Sequence, residues 1–224
     1  MSKGKLEKFA MLADYANCVE PSMDEARLGS IPLKGKWHKD FFKNDNPLTV
    51  ELACGGGEYT VGMAEMYPDR NFIGIDIKGN RIWKGATKAI EKNLTNVGFL
   101  RTRIDFIINC FAEDEVDELW ITFPDPQIKY KRTKHRMTNS DFMKKYHQVL
   151  KKDGLMNLKT DSEFMHGYTL GLLHGEGHEI LNANHNVYKN EGSPKEVTET
   201  QTFYENQYLQ VGKPITYIQF RLKY

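Results

Sequence analysis

No stretch of this chain approaches the roughly 20 apolar residues needed to cross a bilayer. Its first residues, Met1 to Phe9, alternate charged and apolar side chains and hold no apolar leader segment. A cytoplasmic protein with no membrane partner is therefore expected. Cysteine is scarce as well. Cys18, Cys54 and Cys110 are odd in number and far apart, and no CxxC or Cys/His cluster occurs. A disulfide framework or a zinc site does not fit that pattern, so no metal is expected and the thiols read as small buried side chains. There is no internal repeat and no low-complexity tract. Nor is there an excess of charge, since the formal net charge is +1. Proteins coated with positive charge look different.

The charge that is present is unevenly placed. Lys129, Lys131, Arg132, Lys134 and Arg136 fall within eight residues, and no acid occurs between Asp125 and Asp141. Subtracting those five charges from +1 leaves −4 for the rest of the chain. A length of 224 residues suits one domain with short extensions and a core that needs no covalent staple. Residues 1–46 show little periodicity and are punctuated by Pro21, Gly29, Pro32 and Gly35, which reads as an irregular N-terminal arm. Residues 47–224 read as the folded domain.

Within that domain strands and helices alternate. Leu48–Ala53, Asn71–Ile77, Val97–Leu100, Glu118–Phe123 and Leu155–Thr160 have the short apolar pattern of buried strands, with Glu179–Asn184 and Thr216–Leu222 as two late ones. Helices are expected over Tyr59–Tyr67, Asn80–Asn93, Ile104–Phe111, Ser140–Leu150 and Glu163–His174, the fourth opened by a Thr138/Asp141 capping box. Alternation of this kind predicts an α/β fold: a doubly wound, mostly parallel, seven-stranded Rossmann-like sheet with an antiparallel final strand. Ligands of such sheets bind beyond the carboxyl ends of the strands, at the topological switch point.

Two motifs sit where that crevice should be. The first is Glu51-Leu-Ala-Cys-Gly-Gly-Gly57, a strand running into glycines that let backbone approach a ligand. Asp76 ends the next strand, 19 residues after Gly57, where an acid can accept from ribose hydroxyls. The glycines do not form G-x-G-x-x-G, and Glu51 lies inside the strand, where a carboxylate can face the ammonium of S-adenosylmethionine. A dinucleotide offers no such cation. The second motif is Phe123-Pro-Asp-Pro126 after the fourth strand. Two prolines fix the turn and aim Asp125 into the crevice. Methyltransferases that act on amino groups carry D/N-P-P-Y/F here, so Pro-Asp-Pro points to a different acceptor atom.

The run TFPDPQIKYKRTKHRMT resembles the NFPDPWPKKRHxKRRLT of the bacterial tRNA (guanine-N7-)-methyltransferase family. Asn157-Leu-Lys-Thr-Asp161 resembles that family's H-x-K-T-D, and Thr202-Phe-Tyr-Glu205 with Tyr208, Gly212, Pro214 and Ile215 its T-x-Y-E-x-x-F-x-x-x-G-x-P-I. With ELACGGGE and GIDI, the resemblance runs from about Leu48 to Ile218. It implies S-adenosylmethionine as cofactor and a guanine of the tRNA variable loop as acceptor. Glu51, Gly55, Gly57, Asp76 and Asp125 would meet the cofactor, with Asp125 also the catalytic acid beside the guanine. Lys129, Asp161, Thr202, Phe203, Tyr204 and Glu205 would form the substrate site. Three positions depart from the pattern. Ala53 stands for a glycine, Gln127 for the tryptophan after DP, and Arg103 for the acid beside the adenine, with Asp105 two residues on.

Guanine N7 offers an in-plane lone pair and no proton, so its methylation needs alignment and electrostatics rather than a base for the nucleophile. Asp125 would then stabilise the cationic product. Asp161 and Glu205 could accept from the N1–H and N2–H₂ edge, which selects guanine. Lys129 and its neighbours would hold phosphates. Two other readings fit less of the sequence: a tRNA-binding module without catalysis, and a methyltransferase for a small molecule or a protein. Either a monomer or a homodimer is compatible with the residues.

Overall fold

A computed structural model describes Lys8 and residues 10–224. Its centre is a sheet of eight strands: β1 (Cys18–Val19), β2 (Leu48–Leu52), β3 (Asn71–Asp76), β4 (Val97–Arg101), β5 (Val116–Thr122), β6 (Leu150–Thr160), β7 (Glu179–Asn184) and β8 (Thr216–Arg221). They lie in the order β1-β4-β3-β2-β5-β6-β8-β7. The pairs among β1 to β6 are all parallel, and β8 runs antiparallel between β6 and β7. The α/β, mostly parallel sheet with its antiparallel final strand is the one expected. The additional strand is β1, whose two residues are too short to leave a sequence period.

β2 and β3 are buried throughout, as strands covered on both faces must be. After β2 the chain moves outward through β3 to β4. It then returns to the other side of β2 with β5. The switch point therefore lies at the carboxyl ends of β2 and β5.

Helices cover both faces. They are α1 (Met23–Leu28), α2 (Glu58–Met66), α3 (Gly79–Glu91), α4 (Ile107–Cys110), α5 (Ser140–Val149), α6 (Glu163–Gly175), α7 (Lys195–Glu199) and α8 (Phe203–Gln210). In α3 the buried side is Gly79, Ile82, Ala86 and Ala89, the spacing of one helical face. A Cβ on Gly85 of α3 would stand 2.9 Å from the Gly56 carbonyl oxygen, so glycine there lets α3 close against the turn after β2.

The stretch before Pro47 contributes more order than its lack of periodicity suggests. α1 has a complete capping box between Ser22 and Glu25. A π-helix spans Trp37–Phe42. Trp37 is fully buried, stacks on Phe111 at 5.4 Å and donates to the Cys110 carbonyl at 2.9 Å. The Glu115 carboxylate accepts from the backbone N–H of Gly35 and Trp37 at 2.9 and 3.1 Å. These anchors depend on long-range partners, which local sequence does not display.

Two local expectations change, and one helix is added. The helix expected over Ile104–Phe111 splits into a 3₁₀ turn, Ile104–Phe106, followed by α4. The cap of α5 is Asn139, which accepts from the Phe142 N–H at 2.9 Å, and not Thr138. Thr138 is buried and shares a 2.8 Å hydrogen bond with the Thr169 hydroxyl, so its side chain is committed to α6. The run before β8 is helical, because Thr202 and Glu205 form a capping box that opens α8.

Candidate active site

The turn after β2 is built from left-handed residues. Gly55 and Gly57 have φ of 58° and 72°, and Ala53 shares that conformation at 58°. The position that carries glycine in the resembled family is thus one where glycine would be at ease. A Cβ on Gly55 would meet no protein atom within 4 Å, so the space beside it is open to a ligand. Asp76 ties the turn to β3, with its carboxylate accepting from the N–H of Gly55 at 3.0 Å and of Lys78 at 2.8 Å. Its remaining lone pairs border a cavity of about 330 Å³ walled by Ile77, Ile104, Met137 and Phe142. An acid beside an apolar slot fits a ribose joined to an adenine.

Glu51 is placed differently from its expectation. Its carboxyl accepts from the Thr60 N–H at 2.9 Å, from the Thr60 hydroxyl, and from the Thr122 hydroxyl at 2.5 Å. It is buried beneath the turn rather than lining its cavities, and burial pushes its carboxyl up to about 7. Glu58, the first residue of α2, borders the cavity of about 260 Å³ that also holds Gly55, Gly56 and Phe203. Ala53 borders both cavities, so they form one crevice around the glycine turn. Arg103 and Asp105 pair at 3.0 Å on the wall of the larger cavity.

A third cavity of about 800 Å³ adjoins the second, with which it shares Phe123, Tyr204 and Arg81. Asp125 borders it. Phe123 and Gln127, which bracket the Pro-Asp-Pro turn, have φ of 48° and 46°. Strained residues of this kind persist only where the surroundings hold them. Arg136 supplies the hold. It donates to the carbonyls of Gln127 and Ile128, each at 3.2 Å, and lies over the rings of Phe164 and Tyr168 at 4.9 and 4.5 Å. Asp125 itself is exposed, with one oxygen accepting from the Gln127 N–H at 3.1 Å.

The basic run therefore divides. Arg136 is 6% exposed and fastens the loop from within, so it leaves the group expected to meet phosphates. Lys129, Lys131, Arg132 and Lys134 lie on or beside the 3₁₀ turn Tyr130–His135, outside the packed core. Tyr130 stands 91% exposed among them.

On the far wall of the cleft, Asp161 is bridged to Lys213. Thr202 caps α8, and Phe203 and Tyr204 project from its first turn, largely exposed. Glu205 does not face the cleft. It is fully buried, pairs with the equally buried Lys159 at 2.7 Å and accepts from the Tyr188 hydroxyl at 2.7 Å. Its capping bond from the Thr202 N–H points it inward, beneath α8. Burial lowers Lys159 to about 8, against the pull of Glu205. Lys78, Arg81, Tyr208 and Lys213, none of them a predicted site residue, also border the cleft. The i, i+3 spacing of Lys78 and Arg81 at the start of α3 was the available signal.

Among the described residues no group of three or more side chains could hold a metal ion, and no helix is long and apolar enough to cross a membrane. Sheet order, glycine turn and switch-point crevice together define a Rossmann-like methyltransferase. Solved structures agree on the fold: a 16S rRNA methyltransferase, KamB, superposes with a TM-score of 0.60 at 12% identity over 80% of this chain and 89% of that one. An antibiotic-related methyltransferase gives 0.58 at 17% identity over 81% and 90%. A family described as "Putative methyltransferase" matches residues 45–218. The tRNA (guanine-N(7)-)-methyltransferase of Christiangramia forsetii is 64% identical over 99% of both chains, and that of Cytophaga hutchinsonii 38% over 98% of both. The chain belongs to the tRNA (guanine-N(7)-)-methyltransferase family.

Proposed function

We propose that this chain transfers the methyl group of S-adenosylmethionine to N7 of a guanine in tRNA, the variable-loop guanine, giving 7-methylguanosine. The observation that carries the reading is the setting of Asp125. A proline-fixed, Arg136-clamped turn presents it to the cleft that joins the crevice at the glycine turn, and the basic loop follows directly in sequence. Bound S-adenosylmethionine would supply an electrophilic methyl group. Asp76 would accept from the ribose hydroxyls, and the slot of Ile104, Met137 and Phe142 would take the adenine. Gly55 and Gly56 border the space that the methionine end would take, while Gly57 lets the turn close on Phe99 and Gly85. Glu51 acts through Thr60 and Thr122, fixing the turn, and leaves Glu58 as the carboxylate bordering the ammonium's space.

Guanine N7 brings its own lone pair, so no side chain has to remove a proton from it. Asp125 would stabilise the charge that develops on the ring. Asp161, turned into the cleft beside Lys213, would accept from the guanine edge, and Tyr204 would stack on the base. Glu205 and Thr202 position α8 and with it Phe203 and Tyr204. Lys129 and its neighbours on the loop would hold phosphates. The test is incubation with methyl-labelled S-adenosylmethionine and unmodified tRNA, followed by digestion to nucleosides and mass spectrometry. Label in 7-methylguanosine is expected. Cofactor binding by calorimetry with no label in the RNA would instead favour a tRNA-binding module or another acceptor.

A further inference from the structure

At the cleft that Asp125 borders, the start of α3 presents a second row of positive charge. Lys78, Arg81 and Lys84 recur every third residue, and none of them is buried. Among the described residues no carboxylate pairs with any of them. Other surface cations do find acids: Arg101 with Glu20, Lys92 with Glu65, Lys213 with Asp161. Lys78 and Arg81 border the cleft that holds Asp125 and Asp161, while Arg81 and Lys84 border the smaller cavity beside Gly55. Arg81 thus stands at the junction of the two, next to Phe123 and Tyr204.

Folding gives no reason for these charges. The first turn of α3 contains no acid, although that end of a helix favours negative side chains and disfavours cations. The residues that seat the helix are Ile82, Ala86 and Ala89, and the three cations take no part in that packing. The acids that do face this space are Asp125, Asp161 and Glu163 in the cleft and Glu58 in the smaller cavity, and Asp161 is already bridged to Lys213.

We propose that Lys78 and Arg81, with Lys84 behind them, grip an oxyanion of the RNA backbone, so that α3 and the loop carrying Lys129, Lys131, Arg132 and Lys134 hold the strand on either side of the acceptor base. This rests on the reading of the chain as a tRNA methyltransferase. A phosphodiester and the cofactor's carboxylate share the same chemistry. The phosphodiester is assigned because Lys78 borders the wide cleft and neither of the cavities at the glycine turn.

The experiment compares the whole parent chain with the double variant Lys78→Ala/Arg81→Ala. Binding of an unmodified tRNA transcript is measured across salt concentrations, and S-adenosylmethionine binding by calorimetry. With that phosphate no longer neutralised, the slope of log affinity against log salt shrinks by about 0.7 to 0.9 units, and tRNA affinity at low salt falls on the order of tenfold. Cofactor affinity stays within about a factor of two. A charge reversal, Arg81→Glu, weakens tRNA binding further. Both variants melt at or above the parent temperature, because the helix sheds cations from its unfavourable end. An unchanged slope in a folded variant overturns the assignment. So does a tenfold loss of cofactor affinity at unchanged slope, which would give the grip to the carboxylate. If the parent itself moves no methyl group to tRNA, the underlying reading fails. If the parent does and the variant matches it in tRNA binding, only the role of α3 fails.

Discussion

Asp125 and Glu51 show how position divides the labour of two carboxylates. Asp125 is exposed, with one oxygen committed to its own turn, and so can face charge that appears in the cleft. Replacing it with asparagine keeps the turn and removes the charge. Asp125→Asn should lower kcat by about 10²-fold or more, with tRNA affinity within about threefold of the parent. Single-turnover kinetics and a binding titration separate the two, and turnover within a few-fold of the parent would move the charge-stabilising role elsewhere. Glu51 is the opposite case, a buried carboxyl whose native value lies at about 7 against an ordinary 4.5. The folded chain keeps this proton in a range where the unfolded chain has lost it. Stability therefore falls as pH rises from about 4.5 through 7, by on the order of 3 kcal/mol from this group. Urea denaturation across that range should show a steeper decline for the parent than for Glu51→Gln. Equal slopes would mean that Glu51 is already ionised throughout.

Between single residues and the fold, two elements carry the proposed substrate side of the crevice. α8 is held by its Thr202–Glu205 capping box and by the buried Lys159–Glu205 pair. Removing one member of such a pair leaves the other charge buried alone, at about 3–5 kcal/mol. Glu205→Gln should destabilise the chain by about that much, and Lys159→Met added to it should restore most of the loss. Chemical denaturation decides, and a small effect in the single variant would show that water or another group reaches Lys159. The loop after β5 is the second element. Lys131, Arg132 and Lys134 changed together to alanine should shrink the salt slope of tRNA binding by about two to three units, with cofactor affinity unchanged. Loss of turnover at an unchanged slope would make the loop a support for Asp125 instead, the role its neighbour Arg136 already has.

For the molecule as a whole, what could be read in advance follows the range of the interactions involved. Strands β2 to β8 carry local apolar patterns, and the sheet with its switch point follows from them. The glycine turn, Asp76 and Asp125 were also legible, because each is tied to a strand end. The depth of Glu51 and Glu205 was not, since it depends on Thr122 from β5 and on Lys159 from β6, both distant in sequence. The same holds for Trp37 against Phe111 and for the two-residue strand β1. In sequence Arg136 is one more cation of the run; in the fold it lies over the rings of Phe164 and Tyr168. All of these features converge on one crevice, the proposed meeting place of a methyl donor and the N7 edge of a guanine. The most direct test replaces that one atom. A tRNA in which the variable-loop guanine is 7-deazaguanine keeps its base-pairing edge and loses the N7 lone pair. The account predicts that methyl-labelled S-adenosylmethionine labels the unmodified tRNA and leaves the substituted one unlabelled, with both tRNAs binding alike. Undiminished labelling of the substituted tRNA would contradict it.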